Sequence, residues 1–300
     1  MRSDLRLVRY FVTTAEELHF RRAAERLGIA QPALSRAIQA IEDEFGVVLF
    51  TRSNRNVQIT PAGQVFLDRA REMLTLMDRA TEDVRRAHAG RAGSLRIGYT
   101  DFAIAGPLPT LLKDFQEHQP QITLNPQHGV TLTQLHKLSE GKLDIGFVTG
   151  LVNIDGYDQL PVQSEAYVFV CADSHPFASR KSIRLADLAT ADFVHGSAND
   201  WQHFYDHLLP LCRRVGFTPR IVQEAFNTAG ILGLVSCGMG VTVLTEGVCH
   251  GLAPGLVVVP ISDMEERLIT TAIWRKDHLV GPTQHFVEYL RGLPDLPKAA

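Results

Sequence analysis

The chain has 300 residues, 45% of them hydrophobic and 21% charged, with a net charge of −3. This composition excludes a disordered tail, a collagen and a bare coiled coil as the whole molecule, and the length asks for two or three domains. The charge is unevenly split: residues 1–93 hold 15 Arg, no Lys and 12 acids, a balance of +3, and residues 94–300 hold 15 basic and 21 acidic residues, a balance of −6. A basic, lysine-free front on an acidic body is the asymmetry of a nucleic-acid module joined to something else.

The front is helical. Leu5, Val8, Phe11, Val12, Ala15 and Leu18 recur at three- and four-residue steps. A second, short helix covers roughly His19 to Leu27 and ends at Gly28. A third begins near Gln31, buries Leu34, Ile38, Ile41 and Phe45, and ends at Gly46. Val47 to Phe50 and Val57 to Ile59 flank the polar tip Ser53-Asn54-Arg55-Asn56, the pattern of a β-hairpin. Thr60-Pro61 opens a long helix running to about Ala89. Along it Phe66, Ala70, Met73, Met77, Ala80, Val84 and Ala87 form an a/d seam, which serves either a coiled coil or packing on its own domain. Gly90 and Gly93 then supply a hinge.

From Ser94 onward strand-like and helix-like runs alternate. Strands are expected at Leu95–Tyr99, Ile122–Leu124, Leu143–Val148, Tyr167–Ala172, Asp192–His195, Arg220–Ala225, Val241–Leu244, Leu256–Ile261 and Leu268–Trp274. Helices are expected between them, near Gly106–Glu117, Leu132–Glu140, Leu185–Leu188, Trp201–Val215, Ala229–Ser236 and Gln284–Leu293. This predicts mostly parallel sheets with helices on both faces, in two halves. Connectors near Val152–Pro161 and Pro260–Glu266 are the expected crossings. The 21 uncharged residues between Glu224 and Glu246 contain four Gly, so they read as a buried helix and a core strand, not a membrane span. With no apolar stretch at the N-terminus and no CxxC among Cys171, Cys212, Cys237 and Cys249, the expected compartment is the reducing cytoplasm.

Helix, glycine-containing turn, helix is the layout of a DNA-reading motif. The outer face of its second helix carries Gln31, Pro32, Ser35, Arg36 and Gln39, and Gln and Arg each offer two hydrogen bonds to a base edge. Arg52 and Arg55 on the hairpin are within reach of a minor groove or the backbone. The bland alternative is an ordinary three-helix surface with solvated charges.

The stretch 20–63, FRRAAERLGIAQPALSRAIQAIEDEFGVVLFTRSNRNVQITPAG, closely resembles the winged helix-turn-helix of LysR-type transcriptional regulators. Ala23, Ala24, Leu27, Gln31-Pro32-Ala33-Leu34-Ser35-Arg36, Ile38, Leu49-Phe50, Arg52 and Thr60-Pro61-Ala62-Gly63 match in order and spacing. The resemblance extends over the chain, and LGLVSCGMGVTVLTE (232–246) is similar to the family's second-lobe helix and strand. It implies a mainly α winged helix-turn-helix at 1–60 and a linker, dimerisation helix and hinge at 61–93. At 94–300 it implies a two-lobed α/β effector domain resembling a periplasmic binding protein, with lobe I at 94–160 and 268–300 and lobe II at 161–267. It also places base and backbone contacts on Gln31, Pro32, Ser35, Arg36, Arg52 and Arg55. Two positions depart from the pattern. Ala30 stands where Ser is usual, a lost N-cap worth ~1 kcal/mol. Thr51 stands where Glu is frequent.

Ligands of two-lobed α/β proteins bind at strand ends between the lobes. The segments expected there name Thr100, Thr131, Phe147, Thr149, Ser197, Phe226, Asn227 and Thr228. Thr100 and Thr131 match the family's first-lobe effector positions, although either can simply cap a helix. Asp101 disfavours an anionic effector unless it points away or caps a helix. The expected partners are a double-stranded operator with dyad symmetry, a small effector such as an organic or aromatic acid, a second copy forming homodimers that assemble to homotetramers, and RNA polymerase; no membrane is expected. No cofactor or metal is expected, and His203 and His207 read as surface histidines. Without a nucleophile turn or a phosphate loop, an enzyme is not expected. A solute-binding protein of a transport system is the alternative, and it leaves the helix-turn-helix unexplained.

Overall fold

The computed structural model describes residues 4–52, 57–88, 93–294 and 296–297. They fall into two compact units, Met1–Ala89 and Gly90–Ala300.

In the first unit Asp4 caps α1 (Leu5–Glu17), accepting a bond from the Arg6 N–H, and Val8, Phe11, Val12 and Ala15 are buried. Leu18 ends α1 in a left-handed conformation and is itself exposed. Helix α2 (Phe20–Leu27) stops at Gly28, and α3 (Gln31–Phe45) stops at Gly46; both glycines are left-handed, a conformation that costs Gly nothing. Strand β1 (Phe50–Arg52) pairs antiparallel with β2 (Val57–Ile59). The expected start of this strand at Val47 is corrected: Val47 and Val48 are exposed and lie before it. The cause is Glu42, whose buried Oε1 accepts the Leu49 and Phe50 amides at 2.8 and 3.0 Å and so uses the donors at the strand's entry.

Helix α4 (Pro61–His88) starts at Thr60, whose hydroxyl donates to the Val48 carbonyl and accepts from the Gly63 amide. The a/d seam divides in two. Phe66, Ala70 and Met73 pack on the unit's own core, with the Phe66 ring 4.6 Å from Phe11 and 4.9 Å from Phe45. Met77, Ala80 and Val84 face solvent.

The second unit is a two-lobed α/β body. Strand β3 (Gly93–Tyr99) lies between β4 (Ile122–His128) and β5 (Ile145–Thr149), parallel to both. β4 runs past the expected end at Leu124 and includes Pro126, which an edge strand tolerates. Beyond β5 come β11 (Arg267–Arg275) and the front half of β6 (Tyr157–Ala172), antiparallel. These strands make the first lobe. The back half of β6 pairs antiparallel with β9 (Thr242–Thr245) and β10 (Leu256–Pro260). Together with the parallel pair β7 (Asp192–Gly196) and β8 (Arg220–Ala225) it makes the second lobe.

A single 16-residue strand therefore crosses between lobes where a connector was expected at Val152–Pro161. The register shifts opposite Thr270 and Thr271, where Pro161 cannot donate to the ladder. Helices α6 (Leu108–His118), α7 (Thr131–Ser139) and α10 (Pro282–Arg291) cover the first lobe, and α8 (Gln202–Arg214) and α9 (Thr228–Ser236) the second. A short α5 (Asp101–Ala105), missing from the sequence expectation, joins β3 to α6. No helix of the described residues is long and apolar enough to cross a membrane.

Candidate functional site

The outer face of α3 is one candidate interface. Leu34, Ile38 and Ile41 anchor the helix in the core, which leaves Gln31, Pro32, Arg36 and Gln39 exposed and Ser35 half-buried. The arginines of α2 are neutralised: Arg21 faces Glu25, Arg22 faces Glu17, and Arg26 lies 2.9 Å from Glu16 and 3.2 Å from Glu17. Arg36 has no ion pair among the described residues; its Nε donates to the Pro32 carbonyl at 3.3 Å. Gln39 donates to Asp43 at 2.9 Å. Ala30, at the N-cap of α3, gives no side-chain bond to the first turn, so the first-turn amides lack a side-chain cap. Arg52 closes β1, but its side chain and the whole of Arg55 lie outside the described residues. Glu42, which fixes the segment between α3 and the hairpin, was not foreseen; its partners are seven and eight residues away and no local pattern marks it.

The second candidate is a cleft between the lobes of the second unit, enclosing about 360 Å³ of non-atom space, part of it open to solvent. Of the expected residues, Thr100, Thr131, Thr149 and Phe226 line it. Thr100 caps α5, its oxygen accepting the Ala103 amide at 3.3 Å. Thr131 caps nothing: its oxygen accepts the Thr149 amide at 3.0 Å, while Val130 sits at the uncapped start of α7.

The other expected residues go elsewhere. Phe147 is corrected: its ring is fully buried in the first-lobe core near Phe286 and does not line the cleft. Thr149 shares its strand face but lies two residues further on, at the carboxyl end of β5, where the strand reaches the cleft. Asn227 is the N-cap of α9, bound to the Gly230 amide at 2.8 Å. Ser197 donates to Asp200 at 2.9 Å and thereby positions a carboxylate that does line the cleft. Thr228 contributes its amide alone.

That amide meets the residue that was hardest to place. Asp101 Oδ2 accepts the Thr228 N–H at 2.8 Å, and Asp101 Oδ1 lies 2.8 Å from His128 Nε2. The carboxylate of one lobe thus sits at the N-terminus of a helix of the other, where the helix dipole favours negative charge. Next to it Phe102 inserts from the first lobe into the second-lobe core, stacked on Phe204 at 5.0 Å and set edge-on to Trp201 at 5.5 Å. A Cβ on Gly196 would lie 2.0 Å from the Trp201 ring, so only glycine lets that ring close the cleft wall.

Behind this wall His195 is wholly buried among Trp201, Phe204 and Tyr205. Burial pushes its pKa down to about 4, opposed by the Val243 backbone. Burial also lowers the pKa values of His203 and His207. No group of three metal-ligating side chains occurs among the described residues.

Residues 5–64 match the family model described as bacterial regulatory helix-turn-helix protein, lysR family, and residues 88–294 match the LysR substrate binding domain. The chain is 36% identical to the uncharacterized HTH-type transcriptional regulator YnfL of Escherichia coli (strain K12), over 94% of this chain and 95% of the relative. It is 33% identical to the HTH-type transcriptional regulator AlsR of Bacillus subtilis (strain 168), over 95% and 94%. Among solved structures, full-length CbnR complexed with its target DNA superposes with a TM-score of 0.72 at 27% identity, covering 96% of this chain and 99% of that one. Full-length BenM gives 0.58 at 26% identity, covering 96% of each.

Proposed function

The chain belongs to the LysR family of DNA-binding transcriptional regulators, and from that premise we propose how its two units divide the task. Helix α3 lies in the major groove, with Gln31, Ser35 and Arg36 at base edges and Pro32 and Gln39 along the groove wall. Arg52 and Arg55 hold the phosphate backbone or the neighbouring minor groove. The observation that supports this most is Arg36, exposed and without an ion pair among the described residues in a unit whose neighbouring arginines are spent on glutamates. The boundaries follow: a reader at 1–60, a linker at 61–93 and an effector domain at 94–300.

Met77, Ala80 and Val84, the exposed half of the α4 seam, pair two copies, and two dimers form a tetramer. Each dimer reads a dyad with half-sites about 34 Å apart. Such a protein acts in the cytoplasm, has RNA polymerase as its downstream partner and catalyses no reaction. The effector, an organic acid, enters the interlobe cleft with its carboxylate on Thr100 and Thr131, and it shifts the population of closed lobes by binding that state more tightly.

The test is an effector titration followed by thermal shift. A ligand that raises the melting temperature of the wild type should lose that effect in the Thr100→Val, Thr131→Val variant. An unchanged titration would put the ligand elsewhere. For the linker, Met77→Asp with Val84→Asp should lower the sedimentation mass, and an unaltered mass removes the seam from the account.

A further inference from the structure

Resting on that cleft reading, we infer that the effector is a zwitterion of the amino-acid class, its carboxylate held by Thr100 and Thr131 and its ammonium by Asp101 and Asp200.

The first-lobe side of the cleft offers donors. Thr100 and Thr131 are 6% and 3% exposed, and each hydroxyl oxygen already accepts a backbone amide. A hydroxyl has one proton to give as well as lone pairs to fill. Among the described residues neither hydroxyl donates a hydrogen bond, and both line the cleft. Beside them α7 starts without a side-chain cap, and Gly129 and Val130 at its entrance line the same space. Two buried hydroxyl protons and free first-turn amides suit a carboxylate.

The same cleft also offers acceptors, Asp101 from the first lobe and Asp200 from the second. Asp101 and Asp200 line the cleft, and no Lys or Arg does. Asp101 has one contact on each oxygen, His128 and the Thr228 amide, and Asp200 takes the Ser197 hydroxyl. A carboxylate has about four acceptor positions, so both groups retain capacity for further donors.

A plain acid would set a third carboxylate among these two, with no lysine or arginine lining the cleft and His128 already engaged by Asp101. A plain amine would leave the threonine donors unanswered. Both carry the penalty of desolvated polar groups without partners, and a molecule bearing both charges avoids it. The side chain of such a ligand would meet Trp201 and Phe226. Phe226 is 86% exposed, an aromatic face with no packing role of its own. Either ring also attracts an ammonium. Because Asp101 already bonds the second lobe through Thr228, an ammonium placed there lies at the contact that joins the lobes.

The experiment uses the full chain, thermal shift and isothermal titration, and three matched sets of probes. These are the proteinogenic L-amino acids, the same skeletons without the amine, and the same skeletons without the carboxylate. One amino acid should bind, and its acid and amine counterparts should bind at least about tenfold more weakly. Asp101→Asn, which keeps an acceptor for the Thr228 amide, should weaken the amino acid at least about tenfold and should tighten its acid counterpart, because one like charge is gone. Acids that bind as tightly as amino acids, or no binding in any set, would overturn the inference. If acids alone bind and lose binding in Thr100→Val, Thr131→Val, the cleft reading stands and the zwitterion falls. If an amino acid binds that double variant undiminished, the cleft reading itself falls.

Discussion

The residues proposed to read DNA lie in water on one helix, over positions 31–39; those proposed to bind the effector lie in a cleft drawn from segments more than a hundred residues apart. In the reader, Leu34 and Ile38 lock α3 from below, so Gln31 and Arg36 are free above a rigid base. In the sensor, Thr100, Thr131 and Asp101 are each engaged by the protein's own backbone before any ligand arrives. On this proposal a long, uniform polyanion would be met by side chains that can extend toward it. A small molecule in the cleft would be met by groups whose directions are already set, which lowers the ordering cost of binding. Charge follows the same division. In the front, Arg21, Arg22 and Arg26 are paired with glutamates while Arg36 has no ion pair among the described residues, and the acidic body places two of its carboxylates at the cleft.

The largest effect that sharpens this comparison is expected in the reader's foundation. Glu42→Ala strands two buried amides, those of Leu49 and Phe50, and should cost about 3 kcal/mol in urea unfolding, with lost hydrogen-exchange protection at both. A loss below about 1 kcal/mol would mean the hairpin is anchored by other contacts.

The next concerns the sensor. The pKa of His195 is about 4 in the folded chain against an ordinary 6.5, so between those values the unfolded state binds more protons and stability falls as pH falls. From pH 8 to pH 5 this group should remove about 2 kcal/mol, which His195→Leu should abolish. Wild type and variant with the same pH slope in denaturant melts would show that the ring is not held neutral by burial. The smallest effect is a gain: Ala30→Ser supplies the missing cap of α3 and should stabilise the reader by about 1 kcal/mol, read as a raised urea midpoint at unchanged slope.

The two units also differ in how far their residues announce them. The helices of the reader carry their periodicity and their stops, Gly28 and Gly46, within a few residues, and its exposed row sits on one contiguous helix. The error there, a strand started at Val47, came from Glu42, whose contacts no local pattern encodes. In the sensor the alternation of strands and helices was legible, but α5 is only five residues long, too short for a period, and β6 crosses both lobes through Pro161, which reads locally as a connector. Thr100, Thr131, Thr149 and Phe226 were legible as strand ends and helix starts. Asp101 was legible as a carboxylate at the cleft, but its partner Thr228, 127 residues away, was not, and the aromatic wall of Phe102, Trp201 and Phe204 reads in sequence as ordinary core.

The most direct test of the account is the affinity of the full chain for DNA from upstream of its own gene, measured by fluorescence anisotropy at fixed salt, for wild type, Gln31→Ala and Arg36→Ala. Each substitution should cost about 1–3 kcal/mol on the specific site, and both should leave the melting temperature of the protein unchanged. Affinities equal to wild type in both variants would contradict the assignment of α3 as the element that reads DNA.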